Sequence, residues 1–308
     1  MRDKYNCNSN VSSLPSAWDV YGKYCIVTGA SSGIGREIAK GLAERGANVI
    51  MVCRDIVYGE EARSYIIRST GNRNIELLIA DLSSQQQIRE LVKTYKANHS
   101  HLHVLINNAG VIMKNRILTV DGIETTFAVN YLAYFTITNL LLDVLKSSAP
   151  SRIINLTSDI HRLVKIDFDN LQGEKSYNRD IAYARSKLAE IIFSYELGRR
   201  LEGTGVNVNC VCPGAVASRI WTRSSRLMDT LLKAFMKGPE QGAELPLFLA
   251  CSNELTDVTC GYFKAGQHFR VIKVKTGKFI ARSSKYSYQR EIALKLWEIS
   301  ENLTGIRQ

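Results

Sequence analysis

Short apolar runs of strand length recur along the chain, and between them lie longer stretches in which apolar residues return every three or four positions. The runs are YCIVT (24–28), ANVIMVC (47–53), IELLIA (75–80), HVLIN (103–107), RIINL (152–156) and VNVNCVC (206–212). Nearly continuous apolar runs suit strands covered on both faces, and their alternation with helical patterns predicts βαβ units stacked in a parallel sheet. GREIAKGLAERG, from Gly35 to Gly46, shows the helical half of the unit, an apolar stripe that ends on glycine. Long helices are expected near 122–146 and 180–202. The expected fold class is α/β, a single doubly wound parallel sheet of about seven strands flanked by helices.

Three stretches fall outside this alternation. Residues 1–18 show no periodicity and are expected to form a loose arm, which leaves 19–308 as one domain. From Ser218 to Glu244 a series that includes Ile220, Trp221, Leu231 and Phe235 fits either an apolar lid over a substrate or a helix packed on the core. Between Phe263 and Arg282 the run KAGQHFRVIKVKTGKFIA alternates around Thr276-Gly277, which predicts a basic β-hairpin over 264–282. Its lysines suit a solvated edge, an acidic carrier or an anionic membrane surface.

Composition agrees with a globular domain: 45% hydrophobic and 22% charged residues, with 5 prolines, can bury a full core. Seven cysteines without a C-x-x-C pair read as reduced core thiols, and the first twenty residues hold no apolar run, so a cytoplasmic protein without a transmembrane segment is expected. The formal charge of +11 is spread along the chain with no nucleic-acid motif, so nucleic acid is not an expected partner. His99, His101 and His103 alternate but have no carboxylate or Cys at a ligand spacing, so no metal site is expected.

The first run leads into Thr28-Gly29-Ala30-Ser31-Ser32-Gly33-Ile34-Gly35 and then into a helical pattern. Glycines there permit a tight turn and let backbone N–H groups approach a pyrophosphate at the helix N-terminus, the Rossmann-type arrangement, and the place after the first strand and before an amphipathic helix favours it over a purely structural turn. At the end of the second run stand Cys53 and Arg54, where NAD-binding chains place a carboxylate on the adenosine ribose. A guanidinium from Arg54, helped by Arg36, would instead suit a 2′-phosphate and so NADP(H); a solvated loop charge is the alternative. Asp81 and Leu82 follow the third run, and Asn107, Asn108, Ala109 and Gly110 the fourth, all on the expected ligand edge.

Tyr183 and Lys187 lie one helical turn apart, so a nearby ammonium can favour the phenolate and suit Tyr183 to proton exchange with an alcohol or carbonyl. Such pairs also arise by chance on exposed helices. Ser158, after the fifth run, can donate to a reacting oxygen, and Asn130 sits on the preceding long helix.

Taken in order, Thr28 to Gly35, Asn107 to Gly110, Asn130, Ser158, Tyr183, Lys187 and Pro213-Gly214 resemble the short-chain dehydrogenase/reductase family. The Val52-Cys53-Arg54-Asp55 strand end, Thr157-Ser158 with His161, and Leu171 to Lys175 resemble its retinol-dehydrogenase-like branch. The resemblance implies Tyr183 as general acid/base, Ser158 polarising the substrate oxygen, Lys187 holding the nicotinamide ribose, and Asn130 ordering a water in the proton relay. It places Pro213 and Gly214 beside the nicotinamide and gives Val216 and Ser218 cofactor contacts, Ser218 standing where the family often has Thr. Many retinoid enzymes carry an N-terminal membrane helix that these residues lack. The implied activity interconverts a small lipophilic alcohol and its ketone or aldehyde with NADP(H), in a homodimer or homotetramer paired through the two long helices. Epimerisation or cyclisation by hidden redox, or a non-catalytic NADP(H) sensor or scaffold, would use the same fold.

Overall fold

The computed structural model describes residues 18–214, 216, 237–265 and 281–307. Seven strands form one parallel sheet: β1 (Tyr24–Thr28), β2 (Asn48–Cys53), β3 (Ile75–Ile79), β4 (Val104–Asn107), β5 (Ser151–Leu156), β6 (Val206–Cys212) and β7 (Gly261–Lys264). They lie in the order β3-β2-β1-β4-β5-β6-β7, so the chain reverses its direction of winding between β1 and β4. Every neighbouring pair is parallel, with Ile26 beside Ile50 and Leu105, and Ile154 beside Ile106 and Asn209. Each named run holds a strand to within one residue at either end. β7 is the strand that the apolar pattern did not reveal.

Seven helices longer than two turns complete the described residues: α1 (Gly33–Ala43), α2 (Ile56–Thr70), α3 (Gln85–Asn98), α4 (Thr125–Ser147), α5 (Arg179–Arg200), α6 (Pro239–Cys251) and α7 (Arg290–Thr304). One face of the sheet buries Val27, Met51 and Ile106 against Ile38 and Leu42 of α1 and Leu245 and Leu249 of α6. The other buries Ile26, Leu105 and Ile153 beneath Leu91 of α3, Phe135 of α4, Phe193 of α5 and Trp297 of α7. Burying a side chain of this size stabilises the fold by about 1.5–3 kcal/mol. α4 is apolar and long enough to cross a membrane, but 89% of its apolar window is buried, because it forms the centre of this second layer.

Several expectations change. Trp18 is not part of a loose arm: its Nε1 donates to the Ala250 carbonyl at 2.8 Å and its ring lies 4.1 Å from the buried Arg152 guanidinium. Residues 1–17 lie outside the described residues. So do residues 218–236 of the expected lid and 266–280 of the expected hairpin. The described end of the lid region is core: Pro239 opens α6, which packs on α1, and a Cβ on Gly242 would meet Val216 and Ile34. α7 packs on parts of α4 and α5. α7 sets Trp297 against Phe135 and Phe193, with ring centres 5.0 and 5.8 Å away, and Ser300 bonds the Tyr131 hydroxyl at 2.7 Å.

Candidate active site

A cleft of about 770 Å³ opens at the carboxyl ends of the strands, over the point between β1 and β4 where the winding reverses. Open α/β sheets bind ligands at this point because the adjacent loops diverge there. Along its length the cleft meets Gly29, Ser31, Ser32, Gly33, Ile34 and Gly35, then Arg54, Asp81 and Leu82, then Asn108, Ala109 and Gly110. At its other end it meets Ser158, Tyr183, Lys187, Pro213, Gly214 and Val216. Thus the structure brings together nearly all the residues singled out in the sequence. Ser218 lies outside the described residues.

The glycine half is a scaffold of backbone. Gly29 turns the chain at φ +67°, where a side chain would be strained and its Cβ would lie 2.9 Å from the Ala109 Cα. Thr28 Oγ1 accepts from the Asn108 and Ala109 N–H groups at 2.9 and 3.1 Å, and Asn108 Nδ2 donates to the Thr28 carbonyl at 2.8 Å. A Cβ on Gly35 would fall on Asn108 Nδ2 and the Gly29 carbonyl oxygen. The ends of β1 and β4 and the first turn of α1 therefore lock one another. Asp55, Ser84, Glu124 and Asn178 cap the helices that follow them, whereas the Ser32 side chain makes no capping bond to α1. The first N–H groups of α1 thus open on the cleft, as a pyrophosphate site requires.

The two arginines separate. Arg54 is exposed on the rim and makes no hydrogen bond or ion pair with the described residues, while neighbouring Asp55 is committed to capping α2 through the Val57 and Tyr58 N–H groups. Arg36 does not line the cleft: it pairs with buried Glu37 at 2.7 Å and lies over the Tyr65 ring. Its expected help to Arg54 is corrected accordingly, since the guanidinium is held by the buried Glu37 carboxylate and the Tyr65 ring.

At the reacting end the Ser158 and Tyr183 side chains hydrogen bond to each other. Lys187 Nζ lies 5.6 Å from the Tyr183 ring centre and donates to the Leu156 carbonyl at 3.1 Å and Glu190 Oε1 at 2.7 Å. Burial raises the Tyr183 pKa, and the Lys187 ammonium opposes the rise. Burial alone would lower the Lys187 pKa, but the charges of Glu190 and Tyr183 outweigh it and hold the ammonium protonated.

Asn130 sits in a π turn, Ala128–Leu132, at the start of α4 and is fully buried. Its Oδ1 accepts from the Val111 N–H at 2.7 Å, and its Nδ2 donates to the Val111 carbonyl and Ser186 Oγ, both at 3.0 Å. Both amide hydrogens are occupied, so the Asn130 side chain clasps the loop after β4 to α5.

Sequence reasoning missed three charged residues. Asp159 and Lys264 line the reacting end and pair at 2.5 Å; Asp159 also accepts from Arg162 at 2.7 Å and from the Tyr262 hydroxyl at 3.1 Å. The Ser158 neighbour was readable as a site position, but Lys264 comes from the unrecognised β7. Glu190 lies beneath Lys187, fully buried.

Comparison with known proteins agrees with this geometry. A family model described as short chain dehydrogenase matches residues 23–228. Human retinol dehydrogenase 11 is 44% identical over 287 residues, covering 92% of this chain and 86% of its own length. Human retinol dehydrogenase 12 is 41% identical, covering 98% and 90%. Among solved structures, an uncharacterised protein from Mycobacterium paratuberculosis superposes with a TM-score of 0.75 at 28% identity, covering 95% of this chain and 97% of that one. The complex of Pseudomonas aeruginosa RhlG with NADP does so at 0.64 and 26%, covering 82% and 97%.

Proposed function

This chain belongs to the short-chain dehydrogenase family, in its retinol-dehydrogenase-like branch, and from that premise we propose that it uses NADP(H) to interconvert a small, mostly apolar alcohol and its ketone or aldehyde. Oxidoreduction of an alcohol or carbonyl follows from the family; the cofactor's phosphate and the lipophilic substrate are our reading. The observation that carries it is the Tyr183 phenol, hydrogen bonded to Ser158 and backed by Lys187, at the end of a cleft whose far end is an uncapped helix N-terminus.

The residues present fit such a cofactor. The α1 N–H groups and the glycine turn would hold its pyrophosphate, and the Arg54 guanidinium, free on the rim, would take the 2′-phosphate. Lys187, with one N–H left after Leu156 and Glu190, would hold the nicotinamide ribose. When bound, the nicotinamide supplies or accepts the hydride. Ser158 then donates to the substrate oxygen and fixes its position, while Tyr183 gives its phenolic proton to that oxygen in reduction and takes it back in oxidation. The Lys187 ammonium steadies the phenolate formed in between.

Fluorescence titration with NADPH and NADH, followed by turnover of lipophilic aldehydes, ketones and alcohols, tests the reading. NADPH is expected to bind more tightly than NADH, and Tyr183→Phe to keep that binding while losing about 10²- to 10⁴-fold in turnover. A preference for NADH would remove the role given to Arg54, and turnover that survives Tyr183→Phe would remove the mechanism.

A further inference from the structure

Glu190 stands three residues beyond Lys187 on α5, where an ion pair is ordinarily a surface ornament. Here both partners lie inside the protein, with the Lys187 and Glu190 side chains 5% and 0% exposed and 2.7 Å apart. Oε1 accepts from Lys187, and the Thr157 hydroxyl adds a favourable contact to the carboxylate, so Lys187 is its one charged partner among the described residues. Burying a carboxylate is costly unless an opposite charge answers it.

The surroundings define what this carboxylate can influence. From α5 it faces Lys187 and Tyr183; from α4, Tyr134, whose hydroxyl donates to the Ala109 carbonyl at 2.8 Å; from β6, Cys210, with Cys212 adjoining Tyr183 and Lys187. Thr157, after β5, donates to the Lys187 carbonyl at 2.8 Å and fixes the helix at this turn. Lys187 Nζ is held between the rings of Tyr183 and Tyr134, 5.6 and 5.9 Å from their centres.

Resting on the function proposed above, we infer that Glu190 is a positioning residue: it anchors the Lys187 ammonium below the cleft and, by balancing its charge, sets the pH range over which Tyr183 exchanges its proton. The sign follows from Coulomb's law. The ammonium favours phenolate, a carboxylate beside it disfavours phenolate, and the two partly cancel at Tyr183. Burial pushes the Glu190 carboxyl up to about 8 against the opposing Lys187 charge, so it is anionic where the phenol titrates.

Glu190→Gln keeps the shape and an acceptor for Lys187 but removes the charge. With the Tyr183 phenolate keeping Lys187 charged, the variant's pH profile for alcohol oxidation is expected to shift down by about one unit, with NADPH binding within about threefold, a difference of under 1 kcal/mol; an upward shift, from a Lys187 that loses its proton together with the Glu190 charge, would overturn the balance. Glu190→Asp, which withdraws the charge by one methylene, is expected to fall between the two and serves alone if the Gln variant does not fold. Phenolate absorbance, read as the difference from Tyr183→Phe, follows the same midpoint without any substrate. A protein with no turnover whose phenolate midpoint still moves with Glu190 would sink the function and keep this inference. Midpoints in both variants that coincide with the parent's would leave Glu190 a structural pair and overturn it.

Discussion

In the half of the cleft around Gly29 and Gly35 the working groups are backbone N–H groups, held by contacts so close that a methyl group would not fit. In the half around Tyr183 they are side chains whose hydrogen bonds and charges oppose one another: Ser158 and Lys187 on one side of the balance, burial and Glu190 on the other. The first half is set by shape and tolerates little change of volume. The second is set by charge and responds to pH. Hydride transfer needs both, a rigid rack for the cofactor and a tunable proton donor beside the reacting oxygen.

The largest effect should come from breaking the shape-defined half. Gly35→Ala would force its methyl against Asn108 and the Gly29 carbonyl, so the ends of β1 and β4 must spread from α1. We expect cofactor affinity to fall on the order of 10- to 100-fold, the counterpart of an overpacking cost of about 1–3 kcal/mol. Titration with NADPH measures it, and the pH profile of the residual activity should keep its midpoint. A moved midpoint would mean the two halves are not separable.

A smaller effect, confined to one ligand atom group, is expected at the rim. Arg54→Ala removes the one guanidinium on the cleft that is without a partner among the described residues. Losing a solvent-screened charged hydrogen bond, about 0.5–1.4 kcal/mol at an exposed side chain, should weaken NADPH by roughly 2- to 10-fold, while NADH binding stays as it was. Equal losses for both nucleotides would show that Arg54 supports the loop rather than reading a phosphate.

These halves also differed in how far the sequence revealed them. Glycines before a helix report a backbone requirement at their own positions, so Gly29 to Gly35 and the strand ends at Asp81 and Asn108 were legible. Tyr183 and Lys187 were legible because one helical turn fixes their neighbourhood. Glu190 was not: a Glu three residues from a Lys reads as a solvated pair, and only the layers of β5, β6, α4 and α7 around α5 make it a buried one. Arg36 was misread for the same reason, since the buried Glu37 that draws it away is adjacent in sequence and decided by packing. β7 escaped because GYFK is four residues long and carries no extended apolar pattern.

The smallest expected effect sharpens the charge-defined half at its outer edge. Burial raises the Asp159 carboxyl, but hydrogen bonds from Lys264 and Arg162 outweigh it and hold the group at about 2. A carboxyl whose pKa is depressed in the folded state contributes stability above its unfolded value near 4, and that contribution is lost as pH falls toward 2. Asp159→Asn removes the titration, so its stability, followed by denaturant unfolding, should fall less between about pH 4 and 2 than the parent's. The difference should be about 1 kcal/mol or less, because the Asp159 side chain is 35% exposed and solvent screens the pair. The phenolate midpoint of Tyr183 should stay in place, since Asp159 binds Lys264, Arg162 and Tyr262 rather than Lys187. A shift there as large as that of Glu190→Gln would extend the charge balance across the whole reacting end of the cleft.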